Sequence, residues 1–200
     1  MMVVTKFSYT VCAAGVLMSA CGTAPPEHFY TLEPTATIDA NSAAARSTLT
    51  VVVGPVSVPE RVDRSQMVVQ LGSNQISQVE DQRWAESLRS AIPRVVSSNL
   101  SRQLHGASVS VSSDGAADPQ AKYKVAIDIL RFDSRLGDAI MLEARWRIQT
   151  AGAAPQTGNT LLREPTGGAG YDNIAAAHGR ALASMSQQIA KVISTTDGSR

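Results

Sequence analysis

Cysteine is scarce in this chain of 200 residues: only Cys12 and Cys21 occur, both near the N-terminus. With Cys21 at a processing site, no pair remains for a disulfide, and no thiolate remains for nucleophilic attack or zinc binding. The fold is then held by packing. Histidine is equally thin. His28, His105 and His178 lie far apart, and none has a second His or a Cys at ligand spacing. They read as surface or helix-end residues, and no metal is expected. Strong charge of one sign is missing too. A net charge of +1 with no Lys/Arg block excludes a basic nucleic-acid footprint. There is no G-x-S-x-G elbow, H-E-x-x-H or P-loop, and Gly168-Ala169-Gly170 is only a fragment of a dinucleotide fingerprint. These absences argue against an enzyme and against a cofactor. The alternatives left open are an envelope lipoprotein hydrolase, whose Ser, His and Asp meet only in the fold, and a passive scaffold.

Long apolar runs are also lacking, with one exception. Lys6 is followed by an uncharged stretch from Phe7 to Ala20, and then by Cys21. A basic start, an apolar region of about 7–15 residues and small residues before a cut describe a secretory signal. The stretch falls short of the roughly 20 apolar residues needed to span a bilayer. Met18-Ser19-Ala20-Cys21 resembles a bacterial lipobox, with Met18 where Leu is usual. The expected organisation is a signal peptide over 1–20, a lipidated tether over 21–27 beginning at acylated Cys21, and one domain over 28–196. Each buried methylene contributes about 0.8 kcal/mol, so acyl chains on Cys21 would hold the protein to a membrane. Gly22 follows, rather than the Asp that marks inner-membrane retention, which favours the outer membrane and its periplasmic face. The 180 residues after the signal suffice for one domain with a real core.

Along the chain, His28 to Glu33 reads as a short strand and Thr35 to Thr48 as a loop. Leu49 to Val53 is a β-branched buried strand, punctuated by Gly54-Pro55 and continued to Pro59. Gln66 to Leu71 and Gln75 to Val79 flank Gly72-Ser73-Asn74 as a hairpin. Asp81 is placed as the cap of a helix with Trp84, Leu88, Ala91, Ile92, Val95, Val96, Leu100 and Leu104 on one face, kinked or split at Pro93 and stopped at Gly106. Ser108 to Ser112 is a half-buried strand, and Ser113 to Gln120 a polar loop. Tyr123 to Phe132, apolar on both faces, reads as a central strand. Ala139 to Thr150 alternates strictly, with Ile140, Leu142, Ala144, Trp146 and Ile148 opposed to Glu143, Arg145, Arg147 and Gln149. Leu161 to Glu164 is a last short strand. Asp172 opens a final helix whose end frays from Thr195. The fold class expected is α/β: a single domain with one mixed, largely antiparallel sheet packed by two amphipathic helical segments.

Two groups stand out as candidate partner contacts. Arg83, Trp84 and Glu86 form an aromatic flanked by charge, although Trp84 better suits core packing at a helix start, with Arg83 and Glu86 as a surface pair. Arg145 and Arg147 lie on the polar face of an alternating strand, where Arg suits either solvent or an interface.

The ordered series of motifs carries a resemblance. It comprises the lipobox cysteine, His28-Phe29-Tyr30-Thr31-Leu32, Val53-Gly54-Pro55-Val56-Ser57-Val58-Pro59, Val62-Asp63-Arg64-Ser65-Gln66-Met67-Val68 and Asp81-Gln82-Arg83-Trp84-Ala85-Glu86-Ser87-Leu88. Ile92-Pro93-Arg94-Val95 and Asn99-Leu100-Ser101-Arg102-Gln103-Leu104 complete it. The chain resembles the ABC-type transport auxiliary lipoprotein family, most strongly from Leu49 to Leu104. The resemblance implies a non-enzymatic periplasmic lipoprotein on the outer membrane with helices on a mixed sheet. It implies docking to a mammalian-cell-entry (MCE) domain protein that bridges the membranes, served by an inner-membrane permease system. It also implies self-assembly into a ring and phospholipid traffic, with no catalytic residue, cofactor or metal.

Overall fold

The computed structural model describes residues 25–36, 49–105, 107–112 and 121–198. The expected signal peptide, Cys21, most of the expected loop over Thr35–Thr48, the expected helix stop at Gly106 and the expected loop over 113–120 lie outside the described residues. Eight strands and two helices follow in the order β1 (His28–Tyr30), β2 (Thr50–Ser57), β3 (Gln66–Gln70), β4 (Ile76–Trp84), α1 (Leu88–Gln103), β5 (Ser108–Val111), β6 (Tyr123–Ser134), β7 (Ala139–Thr150), β8 (Gln156–Pro165) and α2 (Tyr171–Gly198).

The α/β class and the two helices stand, but the strands form two sheets rather than one. A five-stranded sheet runs β5-β2-β6-β7-β8, and a three-stranded one runs β1-β4-β3. Both are mixed. The β1–β4, β2–β5 and β2–β6 pairings are parallel, while β3–β4 and the long β6–β7–β8 meander are antiparallel. β6 is central in the larger sheet, as its apolar composition demands. β8 is ten residues long, far beyond the expected Leu161–Glu164, because pairing with β7 carries polar Gln156, Thr157 and Asn159 into the ladder.

The alternation of β7 fixes the layers. Ile140, Leu142, Ala144, Trp146 and Ile148 are buried, and they register in turn with Ser134, Phe132, Ile129, Ile127 and Val125 of β6. This face is covered by α1 over β2 and β5 and by α2 over β7 and β8, with the helices packed on each other. Among the described residues no helix covers the opposite face. Gly54, at φ +136°, lies in a register shift between Val53 and Val56 where β2 leaves β5 behind. A Cβ there would sit 2.1 Å from the Ser112 carbonyl oxygen, so only glycine fits.

Helix α1 departs from its expected start. Gln82, Arg83 and Trp84 pair with His28, Phe29 and Tyr30 of β1, so Asp81 and Trp84 belong to a strand. Ser87 is the true N-cap, its hydroxyl accepting from the Ser90 N–H. Trp84 and Leu88 have helical spacing by coincidence: the end of the strand and the start of the helix enter the same core. Pro93 does not split α1, which is continuous through it. Buried Ile92, Val95 and Val96 around it outweigh the roughly 3 kcal/mol of an interior proline. At the C-terminus α2 remains helical to Gly198, past the expected fraying at Thr195.

Candidate functional site

The outer face of the larger sheet carries an open concavity. Cross-strand register lays its side chains in two rows. Ala126 of β6, Arg147 of β7 and Thr157 of β8 form one row. Ser57 of β2, Asp128 of β6, Arg145 of β7 and Asn159 of β8 form the other. Together they line an open concavity of about 720 Å³, bounded on one side by Pro55 and Val56 at the β2 shift and by Arg89 of α1. Arg145 and Arg147 are exposed, and among the described residues no ion pair closes on either guanidinium. Arg89, by contrast, places Nη2 2.9 Å from Asp63. Asp128 accepts a hydrogen bond from the Ser57 hydroxyl.

The surface is backed by an aromatic. The Trp146 indole lies on the core side and donates from Nε1 to Thr160 Oγ1 at 3.2 Å, which in turn donates to Gln188 of α2. It crosses beneath β8 at Gly158, where a Cβ would meet Trp146 Cζ2 at 2.1 Å. Glycine at this point lets the strand lie directly on the ring.

The other candidate group disperses. Trp84 is only 7% exposed, packed edge-on to His178 at 6.1 Å, and so is a core residue in this chain. Arg83 pairs with Glu27 at 3.0 Å, and Glu86 pairs with Arg94. Arg83 and Glu86 therefore do not form the expected surface pair, because the strand-to-helix junction turns them towards different neighbours. Arg94 and Arg102 also donate to the carbonyls of Leu32, Pro34 and Ala36, strapping the N-terminal segment across α1. Neither group was complete in the sequence: Asp128, Ser57, Thr157 and Asn159 join Arg145 and Arg147 only through strand register.

The histidines correct one expectation. His178 is neither at the surface nor at a helix end; it is fully buried in the middle of α2. It stacks on Phe132 at 3.8 Å, and its Nε2 is 2.8 Å from Ser134 Oγ. A Ser–His pair therefore exists, but it is sealed. The adjoining void is about 10 Å³, lined by Val62, Met67, Val68, Trp84 and Leu88, and His178 Nδ1 has no partner among the described residues. That is room for about one water and no substrate, and among the described residues no carboxylate orients the ring. Burial pushes the imidazole down to about 3, so it is neutral in the folded state. No group of three His, Cys, Asp or Glu among the described residues is placed to hold a metal, and no described helix is long and apolar enough to cross a membrane.

A mixed sheet with helices on one face and an open, arginine-bearing other face suits a protein that presents a surface to something else. The sequence profile of the ABC-type transport auxiliary lipoprotein component matches residues 30–190. The chain belongs to that family, and within it resembles the PqiC-like members. Two solved structures share the fold: an uncharacterised protein at 21% identity and TM-score 0.68, over 84% of this chain and 99% of that one, and a protein from Xanthomonas campestris at 18% and 0.61, over 86% and 98%. A looser likeness is to a PelC dodecamer from Paraburkholderia phytofirmans, at 14% identity and TM-score 0.42, over 72% and 89%; similarity of that degree carries nothing about assembly. No curated protein matches the chain.

Proposed function

We propose that this auxiliary transport lipoprotein is a non-enzymatic adaptor for MCE-type intermembrane phospholipid transport. Acyl chains on Cys21 hold it to the periplasmic face of the outer membrane. Copies assemble into a ring that meets the MCE-domain protein delivering lipid from an inner-membrane permease. The observation that carries this reading is the family match over almost the whole domain, joined to one sheet face with no helix over it. Arg145 and Arg147 on that face are the contacts assigned to the partner or to the next copy in the ring; Arg carries much of the energy in such interfaces when its pair is desolvated.

The test uses the full chain extracted from envelope membranes in a mild detergent. The MCE-domain protein is expected to co-purify with it in fixed ratio, and to be lost from the Arg145→Glu/Arg147→Glu variant while the extracted protein keeps its fold. Co-purification unaffected by both changes would move the contact elsewhere. Absence of the partner from the unaltered protein would overturn the adaptor role.

A further inference from the structure

The concavity on the open sheet face has the dimensions and donors of a small-ligand site. We propose that it binds the phosphodiester of a zwitterionic lipid headgroup, with phosphate on Arg145 and Arg147 and ammonium on Asp128. This rests on the reading of that face as the working surface of a lipid-transport adaptor, and names the chemistry of the cargo it meets.

The argument begins with spacing. Arg145 and Arg147 are two residues apart on β7, so their Cα atoms lie about 6.8 Å apart and their side chains leave the same face. Two guanidinium forks at that separation reach one tetrahedral anion, and the planar fork matches phosphate oxygens bidentately. Thr157 and Asn159, their register partners on β8, add a hydroxyl and an amide alongside. Several donors converging from two strands fit a group with several acceptor oxygens better than they fit a single carboxylate.

Asp128 sets the second half of the ligand. It stands opposite Arg145 on β6, and the Ser57 hydroxyl holds its carboxylate. A bare anion on the arginines would be repelled by this charge. A ligand carrying an ammonium on a short arm from its phosphate satisfies both signs, because antiparallel neighbours lie about 4.5–5.5 Å apart at Cα. The volume of about 720 Å³ falls within the roughly 300–1,000 Å³ of small-molecule sites. Ala126 and the exposed Pro55 give a small apolar flank beside which the glycerol end of the headgroup is placed.

The full chain in a nonionic detergent is titrated calorimetrically with glycerophosphoethanolamine, inorganic phosphate and dihexanoyl phosphatidylethanolamine. Glycerophosphoethanolamine is expected to bind saturably, at least tenfold tighter than phosphate. Arg145→Gln/Arg147→Gln is expected to weaken it at least tenfold. Asp128→Asn is expected to erase most of the preference for the zwitterion while leaving phosphate binding equal or stronger. Tighter binding of the diacyl lipid than of glycerophosphoethanolamine assigns the site to lipid; equal affinity keeps the phosphodiester site and overturns lipid as its source. No saturable heat with any probe, or binding unchanged by the double arginine change, overturns the proposal. If phosphate chemistry fails while partner capture still needs both arginines, the docking reading stands alone. Phosphodiester binding without partner capture gives the reverse result.

Discussion

The buried His178 makes stability depend on pH over a range where few other groups titrate. In the unfolded chain its imidazole has the ordinary value near 6.5. In the folded state it lies fully buried against Phe132, Trp84, Met67 and Leu88, and burial lowers it to about 3. Between those values the unfolded chain binds a proton that the folded one refuses, so stability rises with pH and is lost as pH falls. The slope approaches about 1.4 kcal/mol per pH unit below 6.5, and the full span amounts to roughly 5 kcal/mol. That is comparable with the whole stability of a domain, about 5–15 kcal/mol. The assay is urea denaturation at several values between pH 6.5 and 5, before the carboxylates take protons. The comparison is His178→Phe, which keeps an aromatic against Phe132 but cannot charge. Its absolute stability falls by about 1–3 kcal/mol because Ser134 loses its partner. The informative quantity is the slope: the parent is expected to lose about 1 kcal/mol or more per pH unit relative to the variant. Parallel curves would refute the sealed, neutral imidazole.

Gly158→Ala is expected to cost about 1–3 kcal/mol in chemical denaturation, because the new Cβ enters the Trp146 ring. Combining it with Trp146→Leu should cost less than the two singles added. Trp84→Ala is expected to cost about 3–5 kcal/mol, with partner binding per folded molecule unchanged; a variant that melts like the parent but loses its partner would place Trp84 at a contact after all. Cys21→Ser should leave the N-terminus without acyl chains, and intact-mass detection of acyl groups on that variant would contradict the lipidation assigned to Cys21.

Much of the architecture was legible because alternation and apolar spacing are local. The alternation of β7 identified both the core face with Ile140 and Leu142 and the outward Arg145 and Arg147. The central position of β6 followed from its Val, Ile and Tyr content. The errors arose where long-range pairing overrides local pattern. β4 extends to Trp84 because β1, more than fifty residues earlier, pairs with it in parallel. β8 is polar on much of its length and becomes a strand only because β7 offers a ladder. The second sheet has the same cause. His178 sits on the buried stripe of α2 between Ile174 and Leu182, where its spacing of four from each was the signal for burial; its polarity concealed it, since Ser134, the only side-chain hydrogen-bonding partner of its imidazole among the described residues, is 44 residues away. The concavity was half legible. Its arginines stand out in one strand, whereas Ser57, Asp128 and Asn159 acquire meaning only through register.

The adaptor role is tested most directly by site-specific photocrosslinking in intact envelopes. A photoreactive residue is placed at position 147 on the open sheet face in one strain and at exposed His105, at the end of α1, in another. The account predicts crosslinks from position 147 to an MCE-domain protein or to a second copy of the chain, and none to either from position 105. Crosslinks to the MCE-domain protein from position 105 alone, with position 147 silent, would contradict it.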